Sequence, residues 1–295
     1  MTFDYVQTIS GKGPRRDQFQ KALRAVGVDR AGQIYAVGDQ EIKAFAPLGE
    51  GARLRGRWPT AMAGRSIAID GKNQVYVGET GQVEIFDADG KLLRRLSDKE
   101  RLGRVTAVAI STDELLVADA SHRCIRRYNT DGKWLGDIGA DNNTHGFLIP
   151  NGRLDFCTDP TGIVHAVNPS KHRVERYGLN GKLIGHFGRF GPRVEDFPGC
   201  CNPLNIARSA GGVLVVAEKA PPRIKAYNDQ GKLLAAGGTD RLDPNCKNLD
   251  LAIDPQGTLY VTDTVRLQVV VFRCHALSEP ATGQAVTADL EGTRS

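Results

Sequence analysis

Three cysteines stand where sulfur chemistry could occur. Cys200 and Cys201 are adjacent in Gly199-Cys200-Cys201-Asn202-Pro203, and Cys246 stands in Asn245-Cys246-Lys247-Asn248. Thiolates brought together suit a soft metal ion such as zinc or copper(I), or an iron–sulfur cluster. The same sulfurs could form and exchange a disulfide, with the charges of Lys219, Lys247 and Arg223 lowering a thiol pKa. They could equally be small buried hydrophobes. A second group is oxygen-bearing: Asp155, Asn205 and Asp250, with Glu218, Lys219, Arg223, Asp263 and Arg266 as further polar candidates. Whether any of these residues meet depends on how the chain repeats.

The repeat is plainest near the C-terminus. Leu249-Asp250-Leu251-Ala252-Ile253-Asp254, a Pro255-Gln256-Gly257 turn, Thr258-Leu259-Tyr260-Val261-Thr262-Asp263 and Leu267-Gln268-Val269-Val270-Val271-Phe272 read as three strands with tight connections. The same pattern is anchored at Asp29, Asp70, Ser111, Asp159, Ser209 and Asp254, with neighbouring anchors 41, 41, 48, 50 and 45 residues apart. Third strands end in Phe45, Phe86, Tyr128, Tyr177, Tyr227 and Phe272. Fourth strands follow turns at Asp89-Gly90, Asp131-Gly132, Asn180-Gly181 and Gln230-Gly231. A period of 40 to 50 residues with about four strands per unit predicts an all-β, six-bladed β-propeller.

The units fall at about 19–58, 61–98, 103–139, 148–188, 197–238 and 245–273 of a single ring spanning 1–273, with a polar tail over 274–295. Unit six lacks a fourth strand, whereas Tyr5-Val6-Gln7-Thr8-Ile9 belongs to no unit. Residues 3–10 are therefore expected to close the ring by joining the last blade, which also hides an open sheet edge.

Aligning the units on their anchors makes residues at equivalent positions neighbours around the ring. Eight residues before the anchor stand Cys201 and Cys246, with Cys200 beside the first. Four residues before it stand Asp155, Asn205 and Asp250 in units four to six, against Ala25, Ser66 and Ala107 in units one to three. The loops between second and third strands open on the same face and add Glu218, Lys219, Arg223, Asp263 and Arg266, while Asn202, Lys247 and Asn248 flank the cysteines. A working face at the channel mouth of units four to six follows. Units one and two, whose inner strands carry Val, Ile, Ala and Gly, read as scaffold.

Ala118-Asp119-Ala120-Ser121-His122-Arg123 and Asn168-Pro169-Ser170-Lys171-His172-Arg173, with the Gly-x-Val-Tyr-Val-x-Asp strand, make the whole chain resemble the six-bladed NHL-repeat propellers. Unit one departs from the pattern with Gly38 where an acidic corner is expected, and unit two has Glu79. The resemblance implies that the acidic corner and the Arg brace adjacent strands, so His122 and His172 are expected to be structural; His165, standing in for a Tyr, should be packed. Cys200-Cys201-Asn202-Pro203, Glu218-Lys219 and Pro222-Arg223-Ile224-Lys225-Ala226-Tyr227 are also similar to a subgroup of bacterial NHL-repeat proteins, over units five and six only.

The function expected is that of a binding or scaffold subunit, with protein partners, a small ligand, and a thiolate metal or redox centre as readings of the mouth. Two alternatives remain. Gluconolactonase-like hydrolases hold a divalent cation in the channel with acidic and amide side chains, and Asp155, Asn205 and Asp250 offer such oxygens, although unit one has no matching acid. Some propellers bind RNA, but the charge of +5 is scattered and aromatics are only 6% of residues, six of them spent as blade markers, so nucleic acid is not expected. No nucleophile elbow or phosphate loop occurs. No apolar run approaches spanning length, and Met1-Thr2-Phe3-Asp4-Tyr5 has no export signal, so the expectation is cytoplasmic as written, periplasmic or exported if a leader was removed. The six cysteines form no regular disulfide framework.

Overall fold

The computed structural model describes residues 2–111, 113–219, 221–238 and 240–278. It contains six four-stranded antiparallel sheets arranged as a six-bladed β-propeller. The innermost strands are Leu23–Val28, Ser66–Ile69, Val105–Ser111, Phe156–Thr158, Asn205–Arg208 and Leu251–Ile253. Each packs against its counterpart in the next blade, and the strand of blade six packs against that of blade one. Among the described residues no helix is long and apolar enough to cross a membrane.

The anchors recur because each is a turn device. Asp29 accepts the N–H groups of Ala31 and Gln33, both at 2.9 Å, and the hydroxyl of Tyr35. Asp70 does the same for Lys72, Gln74 and Tyr76, and Asp254 for Gln256, Thr258 and Tyr260. A short carboxylate thus replaces two backbone acceptors at the first hairpin and reaches the second strand six residues on. In blade four Asp159 caps the same turn, but His165 takes the tyrosine's place. His165 is buried, as expected, and burial pulls its imidazole down to about 4.

The last blade takes its fourth strand from the other end of the chain. Asp4–Ser10 pairs antiparallel with Gln268–Arg273, from Asp4 opposite Arg273 to Ser10 opposite Gln268. Phe3 meets Phe272 edge-on at 6.5 Å. Cys274, Ala276 and Leu277 are buried in the same apolar cluster as Phe3, so the first residues of the segment read as a polar tail are packed. Residues 279–295 of that segment lie outside the described residues.

Deleting residues 1–12 exposes the edge of Gln268–Arg273 and removes the burial of Phe3 and Ile9. The expected result is a fall in Tm of about 10 °C or more by calorimetry, several kcal/mol being worth a few degrees each in a chain of this size. An unchanged melting curve would show that the ring does not need this closure.

Candidate functional site

At one end of the channel the innermost strands begin, and there the residues predicted to share a position do meet. The Asn205 amide donates to Asp155 Oδ2 at 2.9 Å and, at 3.4 Å, to Asp250 Oδ1. Asp155 Oδ2 also accepts the N–H of Ile206 at 2.9 Å, and Asp250 Oδ2 accepts that of Val26 at 3.0 Å. Arg153, absent from the residues expected at the mouth, reaches from blade four to Asp250 in blade six, with Nη2 at 2.6 Å from Oδ1. Both side chains of this pair are nearly buried. Thr106 adds blade three through its hydroxyl, which donates to Leu154 O at 2.7 Å and accepts from Leu154 N. One polar network therefore joins blades three, four, five, six and one.

Burial pushes the carboxyls of Asp155 and Asp250 upward, the second to about 7. Arg153 pulls both back only in part, and Asp155 adds to the rise at Asp250. Two acids sharing one amide and one guanidinium are hard to ionise together.

Other predicted residues fall into separate groups. Glu218 is buried and ion-paired to Arg223 at 2.6 Å and to the buried Lys225 at 2.8 Å. The Asp263 carboxylate accepts the N–H groups of Asp243, Val265 and Arg266, a corner brace. Arg266 lies against Asp243 and Asp263. Lys219 is tied by its backbone to the Asn202 side chain. In blade three the acidic corner Asp119 engages His122 Nδ1 at 2.6 Å and Arg126, while Arg123 turns to His145 O. In blade one the corner missing at Gly38 is supplied by Asp39, which caps the N–H groups of Lys21 and Ala22.

The sulfurs divide as well. Cys200 Sγ and Cys201 Sγ are 3.0 Å apart, whereas the Cys246 thiol donates to Asn248 O and touches Thr264 Oγ1. The Cys201 contact and Lys219 draw the exposed Cys200 thiol down, while burial pushes Cys201 and Cys246 up. All six cysteines are free, and no group of three His, Cys, Asp or Glu side chains among the described residues is placed to hold a metal ion. The set Cys200, Cys201 and Cys246 thus offers no assembled donor cage for a soft metal or cluster.

Above the network opens a cavity of about 370 Å³ lined by Lys21, Arg24, Arg65, Arg104, Asn151, Arg153, Asn248 and Thr264, among others. Below it the channel continues as a space of about 270 Å³ between inner strands, with Asp155, Asp250 and Thr106 at the boundary. Blades one and two, expected to be scaffold, therefore also line the mouth, through Arg24 and Arg65. A signal existed in the sequence. Gly64-Arg65, Gly103-Arg104 and Gly152-Arg153 repeat one dipeptide just ahead of the innermost strand in three successive units. These arginines stand five, seven and six residues before Asp70, Ser111 and Asp159, so no single offset from the anchors collects them.

The structural relatives are propellers. The WD40 β-propeller domain of Doa1 superposes with a TM-score of 0.61 at 12% identity, over 92% of this chain and 96% of that one. A streptogramin B lyase gives 0.59 at 11%, over 85% and 78%. The virginiamycin B lyase of Staphylococcus aureus gives 0.59 at 11%, over 85% and 80%. At these identities the likeness is one of fold. No protein-family model matches the chain, and no curated protein sequence matches it.

Asp250→Asn tests the electrostatics of the network. A carboxyl whose pKa is raised on folding keeps a proton that the unfolded chain gives up above about pH 4, so its contribution to stability is lost as pH rises toward about 7. The variant should be less stable by about 1–3 kcal/mol, since an amide cannot accept from both Arg153 and Val26 N–H. The gap from the parent, measured by urea unfolding, should narrow between pH 5 and pH 8. A gap that stays constant over that range would mean that Asp250 is ionised throughout.

Proposed function

We propose that the chain is a binding propeller of NHL type whose working face is the channel mouth above the floor that blades four to six form, and that it seats a small ligand or a projecting group of a protein partner there. The observation that carries this reading is an open cavity of about 370 Å³ standing on a polar floor whose hydrogen bonds are used in joining blades. Such a cup offers fixed walls and a few convergent polar groups, the features of a ligand site. The resemblance of all six units to NHL repeats agrees with a binding role, and the propeller likeness alone goes no further.

The same floor argues against a lactonase-like cation site. The oxygens of Asp155 and Asp250 accept protein N–H groups, and the guanidinium of Arg153, at 2.6 Å from Asp250, already supplies the positive charge that a divalent ion would bring. The lyases among the structural neighbours lend no residue-level argument at 11% identity.

Asn248 is exposed on the wall of the mouth, and Lys72 is exposed near the opposite end of the channel. Asn248→Trp should fill the cup, and Lys72→Trp should leave it open. Wild-type protein incubated with a cell metabolite extract should retain specific small molecules, detected unchanged by mass spectrometry after gel filtration. Retention should be lost in the first variant and kept in the second. Retention equal in both variants, no retention by wild type, or release of a converted product would each overturn the reading.

A further inference from the structure

Arg24, Arg65, Arg104 and Arg153 enter the mouth cavity from blades one, two, three and four in turn, so one arc of the rim is built of guanidinium groups. Arg153 alone among them is ion-paired, to Asp250; among the described residues no carboxylate pairs with Arg24, Arg65 or Arg104. The Nε atoms of Arg65, Arg104 and Arg153 and the amide nitrogen of Asn151 are shielded from solvent and have no hydrogen-bond acceptor among the described residues. Ser66 Oγ, beside Arg65 on a residue 4% exposed, is likewise unpartnered. Burial, then repulsion from Arg24, Arg104 and Arg153, holds the Arg65 guanidinium below its ordinary pKa.

Buried donors without acceptors and like charges without counterions both carry a cost, and a folded chain keeps such a group where a ligand supplies what is missing. Guanidinium forks match the paired oxygens of carboxylates and phosphates. The cavity is a cup of about 370 Å³, suited to a compact molecule rather than an extended polynucleotide. We propose that the cup ringed by Arg24, Arg65, Arg104 and Arg153 binds a small oxyanion of at least two negative charges, a phosphate ester or a di- or tricarboxylate. This rests on the mouth being a binding face and names the class of ligand it takes. Arg153 orients the floor through Asp250, and Arg65 and Arg104 contact the anion.

The test uses the full chain in a low-salt, chloride-only buffer, titrated calorimetrically with pyrophosphate, citrate and a single-stranded oligoribonucleotide. Wild type should bind pyrophosphate or citrate with a Kd below about 1 mM and gain Tm as the ligand saturates it. Which of the two binds more tightly separates the phosphate from the carboxylate source. Arg65→Gln with Arg104→Gln should weaken binding at least tenfold and abolish the ligand-dependent rise in Tm. In the same buffer without added ligand its Tm should equal or exceed that of wild type, because the substitution relieves repulsion; Lys72→Gln should change neither readout. The proposal is overturned if wild type binds neither small anion, if the double variant binds as well as wild type, if its Tm without added ligand falls below that of wild type, or if the oligoribonucleotide binds more tightly than either. Loss of metabolite retention in Asn248→Trp without oxyanion binding would leave the binding face standing and remove only the anion.

Discussion

The carboxylate of Asp250 is the point on which the ring turns. It takes a guanidinium from blade four, an amide from blade five and a backbone N–H from blade one, while its own N–H donates to Thr262 Oγ1 within blade six. Blades contact only their neighbours through apolar packing, so a repeat ring has few interactions that span it. Here a polar side chain crosses the hub instead. That choice is costly, since buried charges must be fully paired to break even, and the pairing is incomplete: Arg153 Nε and Asn205 Oδ1 have no partner among the described residues.

The asymmetry of the mouth follows. Blades four to six contribute the acid and amide groups that bind the ring together, and blades one to four contribute arginines facing an open cup. Arg153 belongs to both arcs. The floor fixes the geometry of the rim, so the residues that hold the ring also set the proposed binding site, and a change at Asp250 should be felt at Arg153 before it is felt anywhere on the outer strands.

Much of the architecture was legible because each blade repeats local chemistry. Anchors such as Asp29 and Asp254 mark a turn whose hydrogen bonds stay within six residues, so spacing alone reveals it. The closing strand was legible because unit six lacked a strand that Tyr5 to Ile9 could supply. The convergence of Asp155, Asn205 and Asp250 was readable for the same reason, as equivalent positions on adjacent blades are neighbours. What escaped depends on side-chain reach and register. Arg153 acts across the hub on a residue two blades away, and Arg65, Arg104 and Arg153 stand at different distances from their anchors. Glu218 is acidic on the predicted face, yet it is consumed by Arg223 and by Lys225, whose ammonium group is buried beneath the corner. Cys246 sits at the position equivalent to Cys201, but its thiol is engaged by Asn248 and Thr264.

The most direct test of the hub is a double-mutant cycle between Asp250→Asn and Arg153→Met, read by urea unfolding at constant pH. If the pair is the crossing link of the ring, each single change leaves a buried partner unmatched, and the coupling energy should be at least about 2 kcal/mol. Additivity within about 0.5 kcal/mol would mean that the two side chains do not depend on each other, and would contradict the account.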